Sequence, residues 1–356
     1  IGSCSVAVVE HLQSALFYII ENLSYAVSLE NDLHAVETAC RLGDLSSITE
    51  ILNMFPMLAR VRNREHKTLL HTCCALLRQH VSDDTTAETI STNGANTKKH
   101  SGATDGVSSK HCPPTIKALL QFPLFINAVD GAGRSPLFYC TNAAAVAMLC
   151  ERGADPNAID ELGTTPILQY VLSENFDCVQ TILRFGADPT MTEPMKRRNA
   201  VHFAASLGHY WLMDVLYQNS EHEIDANQGD AMGNTALHLA AACQATESDP
   251  LKTLLLLLNN GADVRIANKR GLTVLHLVCC NPMLSSSLEP LVEMLLQKGA
   301  NPNARDLEGC TPLLVACAYR EFGVCKAILS AGGDMNIPCC MHGTFLSTGF
   351  ADGDDF

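Results

Sequence analysis

The chain reads as an all-α solenoid, built from a helix–turn–helix unit repeated along most of its 356 residues. Three observations carry that reading. A short opening motif of a capping residue, then Pro, Ala or an aliphatic residue, then further apolar positions recurs with its first residue at 68, 135, 165, 199, 235, 273 and 311. Beyond 135 the openings lie 30 to 38 residues apart. Five of the units close on a glycine followed by Ala or Gly and then Asp or Asn, at Gly153, Gly186, Gly261, Gly299 and Gly332. Self-similarity at a fixed period of this length is the mark of stacked repeats, each too small to bury its apolar face alone.

In chain order, residues 1–32 come first. Val9, Leu12, Leu16, Ile19, Ile20 and Leu23 sit at helical spacing, which predicts a helix over 6–29. That helix is either a cap on the first repeat or the remnant of a preceding domain. The sequence begins with Ile1, and the expectation is a piece of a longer protein. The repeat array is expected over 33–340. Ala39-Cys40-Arg41-Leu42-Gly43-Asp44 with Ile51-Leu52 reads as a worn first unit, and Thr68-Leu69-Leu70-His71 opens the next. An insertion over 81–112 follows; it holds almost no large apolar residue, cannot repay its ordering entropy, and is expected to be a disordered loop. Ser101, after Lys98-Lys99-His100, is its phosphorylation candidate. Residues 341–356 are either a degenerate end or a disordered acidic tail carrying Asp352, Asp354 and Asp355.

Within a unit, Thr or Ser opens the first helix by accepting a hydrogen bond from its free N–H groups, and Pro fits the first turn. Small residues follow, among them Cys73, Cys74, Cys279 and Cys317, where a buried side chain of that size is expected. The second helix carries an apolar pair, placed at Leu255-Leu256 in the unit opened by Thr235. The closing glycine ends that helix in a left-handed conformation. Two units are longer, with extra residues at 244–250 and 281–290, and the unit opened by Ser135 is three residues short.

Thr235-Ala236-Leu237-His238-Leu239-Ala240-Ala241 and Thr311-Pro312-Leu313-Leu314-Val315-Ala316 resemble the opening of the ankyrin repeat, and the resemblance extends over roughly residues 33–340. It implies about eight units, each a β-hairpin turn followed by an antiparallel helix pair. It implies that His71, His202, His238 and His276 tie neighbouring repeats together through backbone hydrogen bonds. It further implies a concave groove, lined by hairpin tips and first helices, that binds other proteins.

Function is therefore expected at the surface. Tip residues alternate in charge: Asp160-Glu161, then Lys196-Arg197-Arg198, then Lys269-Arg270, then Asp306 and Glu308. Leu162, Met195 and Met232 add apolar atoms, and Trp211 is either an interface anchor or packing against the next repeat. These basic tips point to partner proteins with acidic patches. The expected role is a non-catalytic scaffold or adaptor; the alternatives are the substrate-receptor module of a ubiquitin ligase and the regulatory array of a larger enzyme, channel or transcription-regulating protein.

Composition narrows the classes further. A formal charge of −14 argues against a general nucleic-acid binder. Apolar residues make up 47% of the chain, yet no run is long enough to span a membrane. Sixteen cysteines fall at core positions and not in a disulfide framework, so a reducing cytoplasm, or the nucleus, is expected. No phosphate loop, metalloprotease motif or nucleophile elbow occurs, and no cofactor, metal or catalytic residue is expected.

Overall fold

Each opening residue starts a helix whose capping and burial follow from its neighbours. In the computed structural model residues 31–76, 114–122, 124–244, 249–282, 284 and 288–338 are described. The 6–29 helix, the 81–112 insertion with Ser101, and the 341–356 tail lie outside them. The chain divides into two compact units, Ile1–Asp155 and Pro156–Phe356.

In the first unit, α1 (31–42) leads through Gly43, at φ +69°, to α2 (Leu45–Met54). Asp44 caps α2 by accepting from the Ser47 N–H. The worn first repeat is thus a helix pair. A 3₁₀ turn at Pro56–Arg60, α3 (Leu69–Leu76) and α4 (Pro114–Leu119) follow. The Ser135 opening forms only a 3₁₀ turn, Pro136–Tyr139, before α5 (Ala143–Glu151). Asn142 lets the shortened unit turn so tightly, because its side chain accepts from the Ala144 and Ala145 N–H groups and restarts the helix at once. Ile48, Leu52, Leu58, Leu69, Ile116, Leu119, Leu137 and Leu149 form this unit's core.

The second unit holds five helix pairs: α6 (Pro166–Leu172) with α7 (Phe176–Arg184), α8 (Ala200–Leu207) with α9 (Tyr210–Asn219), α10 (Ala236–Ala242) with α11 (Pro250–Asn259), α12 (Val274–Cys280) with α13 (Leu288–Gln297), and α14 (Pro312–Ala318) with α15 (Phe322–Ser330). First helices pack on first helices in order, α6 to α8 to α10 to α12 to α14. They are therefore sandwiched, and α10 buries Ala236, Leu237, His238, Leu239, Ala240 and Ala241. Second helices bury one face only.

That one-sided burial corrects the expected register of α11. Leu254, Leu257 and Leu258, at i, i+3 and i+4, are buried, whereas Leu255 and Leu256 are half-exposed. A run of five leucines carries no phase. The closing glycine does: the buried residue lies four positions before it at Ile182, Leu257, Leu295 and Ile328. The expected core pair Leu255-Leu256 therefore lies on the more exposed side of the helix. Asn281, which opens the second long linker, donates from its side chain to the Ala241 and Cys243 carbonyls just before the first, at 2.8 and 2.9 Å; residues 245–248, 283 and 285–287 of the linkers lie outside the described residues.

Cys73, Cys74 and Cys279 are buried as expected of small core residues, but Cys317 is exposed. All twelve described cysteines are free thiols.

Truncating Leu254 or Leu257 to Ala is expected to cost about 2–5 kcal/mol by leaving a cavity, and the same change at Leu255 distinctly less. Urea melts of the three variants check this; equal losses would contradict the assigned face.

Candidate hairpin-tip binding surface

The hairpin tips are built by one recurring device. Asp160 Oδ1 accepts from the Leu162 and Thr164 N–H groups at 3.0 and 2.8 Å. Asp230 does the same for Met232 and Asn234, and Asp306 for Glu308 and Cys310. Asn268 takes that place in the next tip, accepting from Arg270 and Leu272. A glycine at positive φ closes each of these four turns, at Gly163, Gly233, Gly271 and Gly309. Gly271 has no room for a side chain: a Cβ there would come within 2.8 Å of the Asp306 Cα. The tip at 193–198 is one residue longer. Glu193 spans the extra length, accepting from Met195, Lys196 and Arg198, and Arg197 adopts the left-handed conformation at φ +54°.

Neighbouring tips are then linked through backbone. Ala231 N–H donates to the Lys196 carbonyl at 2.7 Å, Lys269 N–H to Met232 at 2.9 Å, and Leu307 N–H to Arg270 at 2.9 Å. Four consecutive tips form a continuous ridge in the second unit. Met195, Arg197, Met232, Lys269, Arg270 and Leu307 are exposed along it, and Lys196 is half-buried. Leu162, also exposed, sits on the tip before them, whose Gly163 abuts Pro194. Leu307 is 78% exposed and was missed; it directly follows Asp306, the place that Glu161 holds in the tip at 160–164.

Three expected tip charges are corrected. Arg198 is not presented to a partner: its Nε lies 3.1 Å from Asp230 Oδ2, and the two side chains are 3% and 1% exposed. It stands next to the opening Asn199, where the chain already turns into the core. Asp160 and Asp306 are also buried, because their carboxylates serve the turns. Trp211 lies away from the ridge, in the first turn of α9, with its ring 5.5 Å from that of Phe176 on the preceding repeat and 5.3 Å from His209. Its ring contact with another repeat is thus with the preceding one, where the expected packing was against the next.

The histidines hold the scaffold beneath the ridge. His71, His238 and His276 each accept at Nδ1 from the opening threonine's N–H, at 3.1 to 3.2 Å. The ring proton therefore sits on Nε2, which faces the Arg134, Leu272 and Cys310 carbonyls of the following repeat at 3.0, 3.1 and 3.2 Å. His202 Nε2 reaches the Gln228 carbonyl at 3.0 Å. Where Leu168 or Phe138 replaces the histidine, the opening residue does not cap as expected, and the Thr165 and Ser135 hydroxyls are buried without a partner. A second set of ties went unread in the sequence. Asn127, Asn157, Asn227 and Asn303 each donate to the closing-glycine carbonyl of the next repeat and accept from the N–H two residues beyond it. The recurrence of Asn three residues before the turn-forming Asp at 127, 157, 227 and 303 is the signal that could have found them.

Burial lowers the pKa of His71, His202 and His276, and brings that of His238 to about 4. The folded state binds these protons less tightly than the unfolded state, so stability is full above about pH 6.5 and is lost as pH falls toward the folded values. For His238 alone the loss is about 3 kcal/mol by pH 4. H238Q is expected to melt lower at pH 7.5 yet to show a shallower fall to pH 5 than the parent chain. A parallel fall would place the acid sensitivity elsewhere. R198A is expected to cost about 3–5 kcal/mol by stranding buried Asp230, while R197A leaves the melt nearly unchanged; equal effects would contradict the placement of Arg198.

Among the described residues no group of three or more His, Cys, Asp or Glu side chains is placed to hold a metal ion, and no helix is long and apolar enough to cross a membrane. The family model described as "Ankyrin repeats (3 copies)" matches residues 167–255 and 242–339. The chain is 29% identical over 220 residues to the E3 ubiquitin-protein ligase KEG of Arabidopsis thaliana, covering 58% of this chain and 13% of that protein. It is 29% identical over 175 residues to human Ankyrin repeat and SOCS box protein 16, covering 47% of this chain and 36% of that one. Human Inversin is 31% identical over 166 residues, covering 46% of this chain and 14% of Inversin. The chain thus spans little more than a third of these relatives at most. Its repeat period, its helix pairs and the family match agree: the chain belongs to the ankyrin-repeat proteins, a class whose repeats mediate protein–protein interaction.

Proposed function

We propose that the chain is a non-catalytic scaffold or adaptor that binds a partner protein along the hairpin-tip ridge of its second unit, as part of one repeat array over residues 33–340. The carrying observation is the backbone linkage of four consecutive tips, which presents Met195, Arg197, Met232, Lys269, Arg270 and Leu307 in fixed order. Lys196 adds a further cation. Apolar side chains supply contact area, and the cations select a partner segment with acidic patches, since complementary charge sets specificity and encounter rate more than affinity. Isolated exposed pairs contribute at most about 1 kcal/mol each, so the strip acts as a set. Thiols buried at small-residue core positions support a reducing compartment, the cytoplasm or nucleus.

A narrower reading makes this array the substrate-recognition part of a ubiquitin ligase. Two relatives carry a ligase or a SOCS box in their names, and that similarity supports it. Ubiquitin transfer to the bound partner by immunoprecipitated protein tests it; binding without transfer would leave only the scaffold.

The ridge itself is tested by charge reversal. Once a partner has been isolated by affinity capture and mass spectrometry, K196E/R197E/K269E/R270E is expected to weaken its binding at least tenfold with the melting temperature nearly unchanged. Unaltered affinity in a folded variant would move the binding surface elsewhere, first to the linkers at 244–250 and 281–290.

A further inference from the structure

The seventh residue of the opening motif is normally covered by the next repeat. Cys74, Val171, Ala205, Ala241 and Cys279 occupy that position and are buried. Cys317 occupies it in α14, the last first helix among the described residues, and is exposed. Its Sγ lies 3.4 Å from the Sγ of half-exposed Cys325 on α15, the helix packed against α14. That is sulfur–sulfur contact across a helix pair. A disulfide needs about 2.05 Å, a closure within reach of small side-chain rotations. Of the neighbouring thiols, Cys279 is buried, and the half-buried Cys280 thiol donates to the Leu277 carbonyl at 3.1 Å. No third ligand gathers at the pair to make it a metal site among the described residues.

We propose that Cys317 and Cys325 form an oxidisable dithiol, closed to an intramolecular disulfide by hydrogen peroxide. The exposed Cys317 thiolate attacks a peroxide oxygen; the O–O bond breaks, leaving a sulfenic acid and, after protonation, water. The Cys325 sulfur then attacks the Cys317 sulfur, the S–S bond forms, and the departing hydroxyl leaves as water with the Cys325 proton. Two thiols lose two electrons and two protons, and one hydrogen peroxide becomes two waters. The order follows from the surroundings. Burial, then the hydrogen bond with Cys317, pushes the Cys325 thiol up to about 11, so it is not the first to attack the peroxide; it gives up its proton to the departing hydroxide as it resolves the sulfenic acid. The bond would lock α14 to α15.

The test treats the native full-length chain with stoichiometric hydrogen peroxide, blocks remaining thiols with N-ethylmaleimide, and digests it with trypsin without reduction. The expected product is peptide 306–320 joined to peptide 321–326 through Cys317, released by dithiothreitol. C310S retains the link, although Cys310 shares the first peptide; C317S and C325S each abolish it. C325S is expected to yield a dimedone adduct on Cys317, the trapped sulfenic acid. The proposal is overturned if Cys317 proceeds to sulfinic acid with no link to Cys325. It is equally overturned if the link runs through Cys310, joins two chains, or persists in either single variant.

Discussion

The structure depends on one constraint: loop backbone groups at each repeat boundary must find partners, and the next repeat supplies or receives them. A hairpin loop leaves carbonyl and N–H groups facing the core, where an unpaired group costs about 1–3 kcal/mol. Nε2 of His71, His202, His238 and His276 meets one such carbonyl from the following unit, and the Asn157, Asn227 and Asn303 side chains each bridge two groups of a closing loop. Each tie is intermolecular in character though intramolecular in fact, which is why one unit cannot hold its loops alone. The ties also fix spacing. Because each tip is bonded to its neighbour, exposed side chains on successive tips keep a constant order that a free loop could not maintain.

The same constraint explains the departures. Leu168 cannot receive the Thr165 N–H as histidine does, and the hydroxyl of Thr165 is left buried and unpartnered. The Glu193 loop carries an extra residue, and its acceptor lengthens from Asp to Glu to match. Arg197 sits where other tips place glycine and accepts a left-handed backbone that favours glycine. The loop's basic character, and not its conformational ease, is what that arrangement preserves.

Much of this was legible in the residues. The period, the helix pairs and the buried His238 and His276 follow from the opening motif, because a motif repeated in register reports a common environment. The phase of α11 was not legible from Leu254 to Leu258, since a uniform run carries no periodicity; only distance from Gly261 fixes it. Arg198 was not separable from Lys196 and Arg197 by type, because burial there depends on Asp230, 32 residues further on, meeting its guanidinium. The Asn ties were visible as a spacing but invisible as chemistry until their partners 26 to 36 residues away were placed. Cys317 holds the same motif position as buried Cys279, and the motif alone does not report that it is exposed.

Charge shows why composition and presentation diverge. The chain carries 38 acidic and 24 basic residues, and its tips would be expected to share that balance. Yet Asp160, Glu193, Asp230 and Asp306 are each under 10% exposed, turned inward to accept backbone N–H groups. The device that makes a tip consumes an acidic side chain and hides its charge. A guanidinium or ammonium has no such use, since it offers no acceptor to the turn. Arg198 is the exception that fits, for it is withdrawn by pairing with one of those carboxylates. What the ridge presents is thus shifted toward positive charge by the chemistry of turn formation, in a chain whose total is −14. An acidic partner would meet local attraction within a field that repels it at longer range, and added salt would screen the distant repulsion before the close contacts.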